Sequence, residues 1–336
     1  MSVGIDIGSK TIKIVELEKE GKAFKLAASG AVGYQGVLPA IAKEDKELVP
    51  LSDVIRKLHK EAHIRGKEVS VALPESLVFT RTIKFPSLTD QEIESAVKWE
   101  AEQYIPIPLP EAIVEHQIVE RSQNAQGNVT VLLVASPKVL VEKYIKLLAG
   151  AGLTTVGVET EALAICRSLA PETGTVLLLD FGAQSTNIAI IKDGMIRFSR
   201  SIPTAGEAFT RALSQSLGIE YQQAETYKKT YGLSKDLEGK VKESLAPVFN
   251  LVGEEIKKAI HFYQTEEKGE APKSVIVSGG TSSMPEVIST LTNILGIEVM
   301  VGNPFAKVSV NEQLAKNLAN YASLYSVAVG LALRGD

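Results

Sequence analysis

The sequence has a single cysteine, Cys166, in 336 residues, which excludes an intramolecular disulfide framework. Its setting, after the apolar run Ala162-Leu163-Ala164-Ile165, marks it as a small core residue. Basic residues are not in excess: 36 Lys and Arg against 40 Asp and Glu leave a formal net charge of -4. That balance argues against nucleic acid as a main partner, because phosphate backbones call for a concentrated basic face. No segment approaches the roughly 20 apolar residues that a membrane span requires. The start lacks a basic and then apolar leader, and no basic amphipathic tail surrounds Arg334-Gly335-Asp336. The expectation is a cytoplasmic protein that reaches a membrane only through a partner. Gly/Ser linkers and low-complexity tracts are also missing. The length therefore suits two domains, each with its own core, meeting tightly around a cleft.

What is present is a strand-turn-strand stretch that occurs twice. The first copy is Gly4-Ile5-Asp6-Ile7-Gly8-Ser9-Lys10-Thr11-Ile12-Lys13-Ile14, and the second is Leu178-Leu179-Asp180-Phe181-Gly182-Ala183-Gln184-Ser185-Thr186-Asn187-Ile188. Aligning Asp6 with Asp180 places Gly8 on Gly182, Thr11 on Ser185 and Ile14 on Ile188. Apolar residues on either side of small polar ones predict a tight hairpin in each copy. Two such turns facing each other would clamp a phosphate. The copies are unequal, since Lys10 and Lys13 of the first correspond to Gln184 and Asn187 of the second.

Between the copies, helix spacing over Leu48 to His63 puts Leu51, Val54, Ile55 and Leu58 on one face. His59 and His63 lie four apart there, a spacing that two metal ligands can use. No third ligand accompanies them in a recognisable motif, so no metal site is expected. Leu77–Val156 reads as an α+β insert, strand-helix-strand-strand-helix-strand. Thr89 and Glu92 form a capping box for its first helix, which carries the only tryptophan, Trp99. Core packing is the expectation for Trp99, Tyr104 and Ile105. A polar turn is expected at Ser122–Asn128, and a helix follows Ser136-Pro137. In the second half, helices are expected at Ala205–Leu217, Tyr221–Tyr231 and Leu245–Gln264. The strand Ser274–Val277 runs into Ser278-Gly279-Gly280-Thr281, and a final helix covers Leu324–Leu333. Glycines at a strand end let backbone approach a ligand closely.

Each signal is weak alone, but their order resembles the signatures of the actin/Hsp70/sugar-kinase ATPase superfamily over essentially the whole chain. That resemblance implies an α/β, actin-like two-domain ATPase fold. It divides the chain into 1–76 and 157–172 (first domain), 77–156 (insert), 173–323 (second domain) and 324–336 (a helix returning to the first). It implies that Gly8, Ser9, Lys10, Thr11 and Lys13 meet the β/γ-phosphates of ATP from one side. Gly182, Ala183, Gln184, Ser185 and Thr186 meet them from the other. Asp6 and Asp180 would hold Mg2+ largely through water. Glu159 would orient an attacking water, and Thr160 stands where the family has proline, a departure that argues against fast hydrolysis. Gly279, Gly280 and Thr281 would form the adenosine loop, and Glu255 and Lys258 would bracket ribose and adenine.

The insert narrows the choice. Actin and MreB have no such module, a chaperone would carry a further domain, and no sugar-kinase base is recognisable. Glu92–Pro106, the opening Gly4–Leu17 and Thr230-Tyr231-Gly232 resemble the PilM family of type IV pilus proteins, relatives of FtsA. This resemblance implies an inner-membrane role through the N-terminal cytoplasmic tail of PilN, gripped between the first domain and the insert. Other inner-membrane pilus assembly proteins and self-association are further implied partners. An FtsA-like filament protein, a type II secretion subunit and a true ATPase or small-molecule kinase stay open as alternatives.

Overall fold

The computed structural model describes residues 1–21, 23–121 and 127–335. The chain opens with the antiparallel strands β1 (Ser2–Ile7), β2 (Thr11–Glu20) and β3 (Ala23–Gly33). β1 and the first half of β2 are buried on both faces, which accounts for their near-continuous Ile/Val run. Helix α1 (Val49–Glu61) turns Leu51, Ile55 and Leu58 inward, and β4 (Glu68–Leu73) then enters parallel to β1. His63 falls beyond the end of α1 with φ 55°, while His59 Nε2 meets the Gly66 carbonyl at 2.8 Å. The two rings therefore do not share a helix face.

The insert is a three-stranded antiparallel sheet, in the order β5 (Phe79–Phe85), β7 (Val129–Pro137), β6 (Ala112–Arg121). Helix α2 (Asp90–Tyr104) covers one face, and its capping box is in place. Ile93, Val97 and Ala101 are spaced by four and fill the core with Ile83, Phe85, Val131 and Leu133. That spacing turns Trp99 outward, so it is 63% exposed and not a core residue as expected. Tyr104 is also exposed, its ring 3.8 Å from the Arg81 guanidinium, and only Ile105 of the three is buried. Residues 122–126 of the expected polar turn lie outside the described residues.

Helix α3 (Lys138–Gly150) and strand β8 (Thr154–Thr160) do not close the insert as expected. Leu140, Tyr144, Leu147 and Leu148 pack with Ile55, Leu58 and Val71, and β8 pairs parallel to β4. The reason is cover: α2 already shields the small sheet, so a second apolar helix finds its apolar surface on the large one beside α1.

After α4 (Glu161–Leu169) the second half repeats the plan. Strands β9 (Thr175–Phe181), β10 (Thr186–Lys192) and β11 (Met195–Ile202) form a meander. Helices α5 (Gly206–Leu217), α6 (Tyr221–Tyr231) and α7 (Lys240–Thr265) follow, then β12 (Ser274–Ser278), α8 (Val287–Leu295) and β13 (Glu298–Val301). The sheet order β11-β10-β9-β12-β13 matches β3-β2-β1-β4-β8 strand for strand, and β14 (Val308–Ser309) extends the first sheet beyond β3. Phe181, Phe209 and Phe249 interlock at the centre of the second core, with ring centroids 5.7 to 6.1 Å apart.

Past α9 (Glu312–Leu318), helix α10 (Ser326–Ala332) returns to the first half and wedges between β1 and α4. Glycines make this approach possible. A Cβ on Gly330 would lie 1.8 Å from the Ala164 carbonyl oxygen, and one on Gly4 would lie 2.1 Å from that of Ala328. No helix among the described residues is long and apolar enough to cross a membrane.

Candidate functional site

The two hairpin turns are built alike. Gly8 N–H donates to Thr11 O at 3.1 Å, and Gly182 N–H donates to Ser185 O at 3.1 Å. A Cβ on either glycine would sit 2.9 Å from that same carbonyl oxygen, so both turns need glycine. Gly279 completes the set with φ 83°: a Cβ there would come within 2.7 Å of Asp180 Oδ1. It comes so close because β12 lies parallel to β9, with Ser278 opposite Asp180. Thr281 Oγ1 donates to Gly182 O at 3.2 Å, which ties the third loop to the second. Gly280 stands beside Leu324.

Each hairpin sets a polar residue of its second strand opposite the aspartate. Lys13 faces Asp6 across β1 and β2, both are buried, and Nζ lies 2.8 Å from Oδ2. Asn187 faces Asp180, but its Nδ2 donates to Glu161 Oε2 at 2.9 Å, while Ser201 Oγ donates to its Oδ1 at 2.7 Å. Burial, with Asp180 and Asp6 adding to it, raises the Glu161 carboxyl well above the ordinary range. Burial and then Asp6 push Asp180 up to about 6, with Lys13 opposing. Burial works against the Lys13 charge, yet Asp6, Asp180 and Glu161 outweigh it and hold its pKa above the usual lysine value. Three carboxylates thus share one ammonium. Among the described residues no three such side chains are placed to ligate a metal directly, so a divalent cation here would be held through its waters, which relieves the repulsion without direct ligation by every oxygen.

The other expected residues divide. Lys10 reaches the second half instead of standing over its own turn: Nζ donates to the Tyr221 hydroxyl at 3.0 Å and lies 3.6 Å from Glu207 Oε1. Ser9 and Thr11 flank it in the first turn, and Ala183, Gln184 and Ser185 form the second. The buried Thr186 hydroxyl is committed to Thr204 O at 2.7 Å. Glu255 and Lys258 are not brought to the loops. Glu255 bonds Arg200 of β11 at 2.9 Å and Lys258 at 2.7 Å.

The Glu-x-x-Lys pair that does reach the loops is Glu225 and Lys228 on α6. Lys228 Nζ bonds Gly206 O at 2.9 Å, Thr210 Oγ1 at 2.8 Å and Glu225 Oε2 at 2.7 Å. A Cβ on Gly206 would lie 3.1 Å from Thr281 Oγ1 and 3.2 Å from Gly182 O. Burial opposes ionisation of Glu225, but hydrogen bonds from Lys228 and Thr210 win and hold it down at about 2. Two helices of this half carry the same spacing, and only its position before Thr230-Tyr231-Gly232 distinguishes the α6 pair in sequence.

Glu159 is likewise held elsewhere. Its oxygens accept two bonds from Arg167, at 2.6 and 2.8 Å, and Arg167 Nη1 also donates to Gly330 O at 2.6 Å. The glutamate beside the two aspartates is Glu161. Thr160 caps α4, its Oγ1 accepting the Leu163 N–H at 3.2 Å, which makes Glu161 the first helical residue. Glu159→Ala is expected to cost about 2 kcal/mol by leaving Arg167 without its carboxylate, moderated because the Arg side chain is 31% exposed. Thermal melting beside nucleotide titration checks this. Unchanged melting with lost nucleotide binding would return Glu159 to the site.

Comparison with known proteins follows the same lines. A family model described as type IV pilus assembly protein PilM matches residues 4–336. A solved PilM-PilN type IV pilus biogenesis complex is 28% identical, with a TM-score of 0.86, covering 99% of this chain and 98% of that one. Cell division protein FtsA of Enterococcus hirae is 24% identical over 98% of this chain and 86% of its own. MreB5 of Spiroplasma citri bound to AMPPNP shares the fold at a TM-score of 0.53, with 15% identity over 98% and 93% of the two chains.

Proposed function

The chain belongs to the family of type IV pilus assembly proteins PilM, and from that premise we propose that it is an ATP-binding, actin-like component of pilus assembly that docks on the inner membrane by gripping the N-terminal cytoplasmic tail of PilN. The observation that carries the nucleotide part is the group of three carboxylates around Lys13, set between two equivalent glycine turns. Asp6, Asp180 and Glu161 would hold Mg2+, mainly through its waters. The turns at Gly8–Thr11 and Gly182–Ser185 present backbone to phosphate, while Gly279, Gly280, Thr281, Glu225 and Lys228 flank the nucleoside. Bound Mg2+ supplies the positive charge that lets a polyphosphate enter a cleft this acidic. The solved PilM of high structural similarity is itself in complex with PilN, which supports the partner.

Calorimetry tests both halves of the reading. Mg-ATP is expected to bind, and a PilN tail peptide to shift its affinity by the same factor by which ATP shifts peptide affinity. No Mg-ATP binding would overturn the nucleotide assignment, and identical ATP affinities with and without peptide would remove the coupling. If ATP is consumed steadily, Glu161→Gln, and not Glu159→Ala, is the substitution that stops it.

A further inference from the structure

Glu75 lies in the short link between β4 and the insert and is only 4% exposed. Its carboxylate is approached from three sides. Ser199 Oγ of β11 donates to Oε1, the Ala162 N–H at the start of α4 donates to Oε2 at 3.3 Å, and Thr80 Oγ1 of β5 stands 3.5 Å from Oε1. The backbone N–H of Glu75 donates to Glu161 Oε2 at 3.1 Å, the oxygen that also takes the Asn187 amide. One residue thus touches the first strand of the insert, the edge strand of the second half, and the helix start that carries the cleft carboxylate.

The seam continues along β5. Thr80, Thr82 and Lys84 share one face of that strand. Thr82 Oγ1 donates to Arg197 O at 3.0 Å, and Lys84 Nζ donates to Glu267 O at 2.8 Å. Arg197 Nη1 in turn meets Glu120 Oε2 of β6 at 2.8 Å. The insert therefore rests on the second half through polar side chains, and the end of that seam is bonded to Glu161. Buried polar networks stay satisfied as a whole or lose free energy at each broken member, so a displaced Glu161 is not absorbed at a single bond.

We propose that Glu75 is a positioning residue that ties Glu161 to the insert, so that a cation or nucleotide engaging Glu161 changes how firmly β5 is held against the second half. This rests on the nucleotide reading of the cleft. The expected coupling is about fivefold, the low end of ordinary coupling between sites.

Hydrogen exchange of the full-length protein, followed over residues 79–85 with and without Mg-ATP, tests it. In the unaltered protein, Mg-ATP is expected to change the exchange rate there about fivefold. Glu75→Gln removes the charge: its oxygen still accepts the Ala162 N–H, but its amide can only donate toward Ser199 and Thr80, so both hydroxyls lose their acceptor. It should keep Mg-ATP affinity within about threefold, less than half a decade of coupling, and lose the response at 79–85. Ser199→Ala removes a single hydroxyl outside the three-carboxylate group, and it should lose the response while melting only a few degrees earlier, the cost of one hydrogen bond to a carboxylate. That variant carries the test if Glu75→Gln does not fold. A response equal in all three proteins, or Mg-ATP binding without any response at 79–85, overturns the proposal. Failure of the unaltered protein to bind Mg-ATP counts against the cleft assignment instead.

Discussion

Replacing Asp180 with Asn is expected to raise the melting temperature of the metal-free protein at neutral pH and to abolish its response to Mg2+ and nucleotide. The two effects have one cause. Burial and Asp6 push the Asp180 carboxyl up to about 6, from the 3.8 of an ordinary aspartate. The folded state then holds this proton more tightly than the unfolded state does. Stability from Asp180 is therefore full below the unfolded value and is lost as pH rises through about 6. A tenfold change in proton affinity corresponds to about 1.4 kcal/mol. Water reaching this half-buried carboxylate screens it, which leaves roughly 1 to 2 kcal/mol of destabilisation at neutral pH. Asn removes the charge at almost unchanged size and so ends the repulsion from Asp6. Melting curves at pH 5 and pH 8, with chelator or with Mg2+, check the sign. The variant should melt a few degrees later at pH 8, less so at pH 5, and Mg2+ should not move it. A variant that melts earlier at both pH values, or that still responds to Mg2+, contradicts the assignment of Asp180 as a cation-facing acid.

Gly330→Ala is expected to destabilise the fold by about 3 kcal/mol or more, the upper end of overpacking costs. The added carbon would meet the Ala164 carbonyl oxygen at 1.8 Å, and the neighbour is backbone with no rotamer to yield. Arg167, bonded to Gly330 O, would lose its geometry as α10 moves. Gly4→Ala acts on the opposite side of the same helix, against Ala328 O at 2.1 Å. The two substitutions should not add, since a helix displaced by one has already relieved the other. Denaturant unfolding measures both. A loss below about 1 kcal/mol for Gly330→Ala, within ordinary single-substitution scatter, would mean that α10 is not wedged as described.

The duplicated hairpins were legible because their signal is local: glycine, aspartate and strand spacing all fall within a dozen residues, and the two turns form identical hydrogen bonds. Trp99 shows where local signals stop. Its size argues for a core, but the helix phase fixed by Ile93, Val97 and Ala101 decides otherwise. Glu159 and Glu161 differ by two residues and cannot be separated by composition. What separates them is the capped start of α4, which turns one toward Arg167 and the other toward the aspartates. Glu255 and Glu225 present a similar difficulty on two helices of one domain: beyond the neighbouring Thr230-Tyr231-Gly232, what separates them is the bond from Lys228 to Gly206 O, beside Gly182 and Thr281. The placement of α3 and β8 depends on which sheet still has an uncovered face, a property of the assembled molecule.

The matching strand orders of the two sheets give the insert a particular standing. In the second half, β12 crosses to β13 through α8, and in the first half β4 crosses to β8 through α3. The insert is therefore spliced into the crossover ahead of α3, and it enters and leaves through strands that pair with each other, Phe79 opposite Ala135. Its two ends are neighbours, so the host crossover has almost no distance to bridge. A module joined in this way can be exchanged or reshaped through descent while the aspartates, glycine turns and wedged helix beneath it keep their geometry.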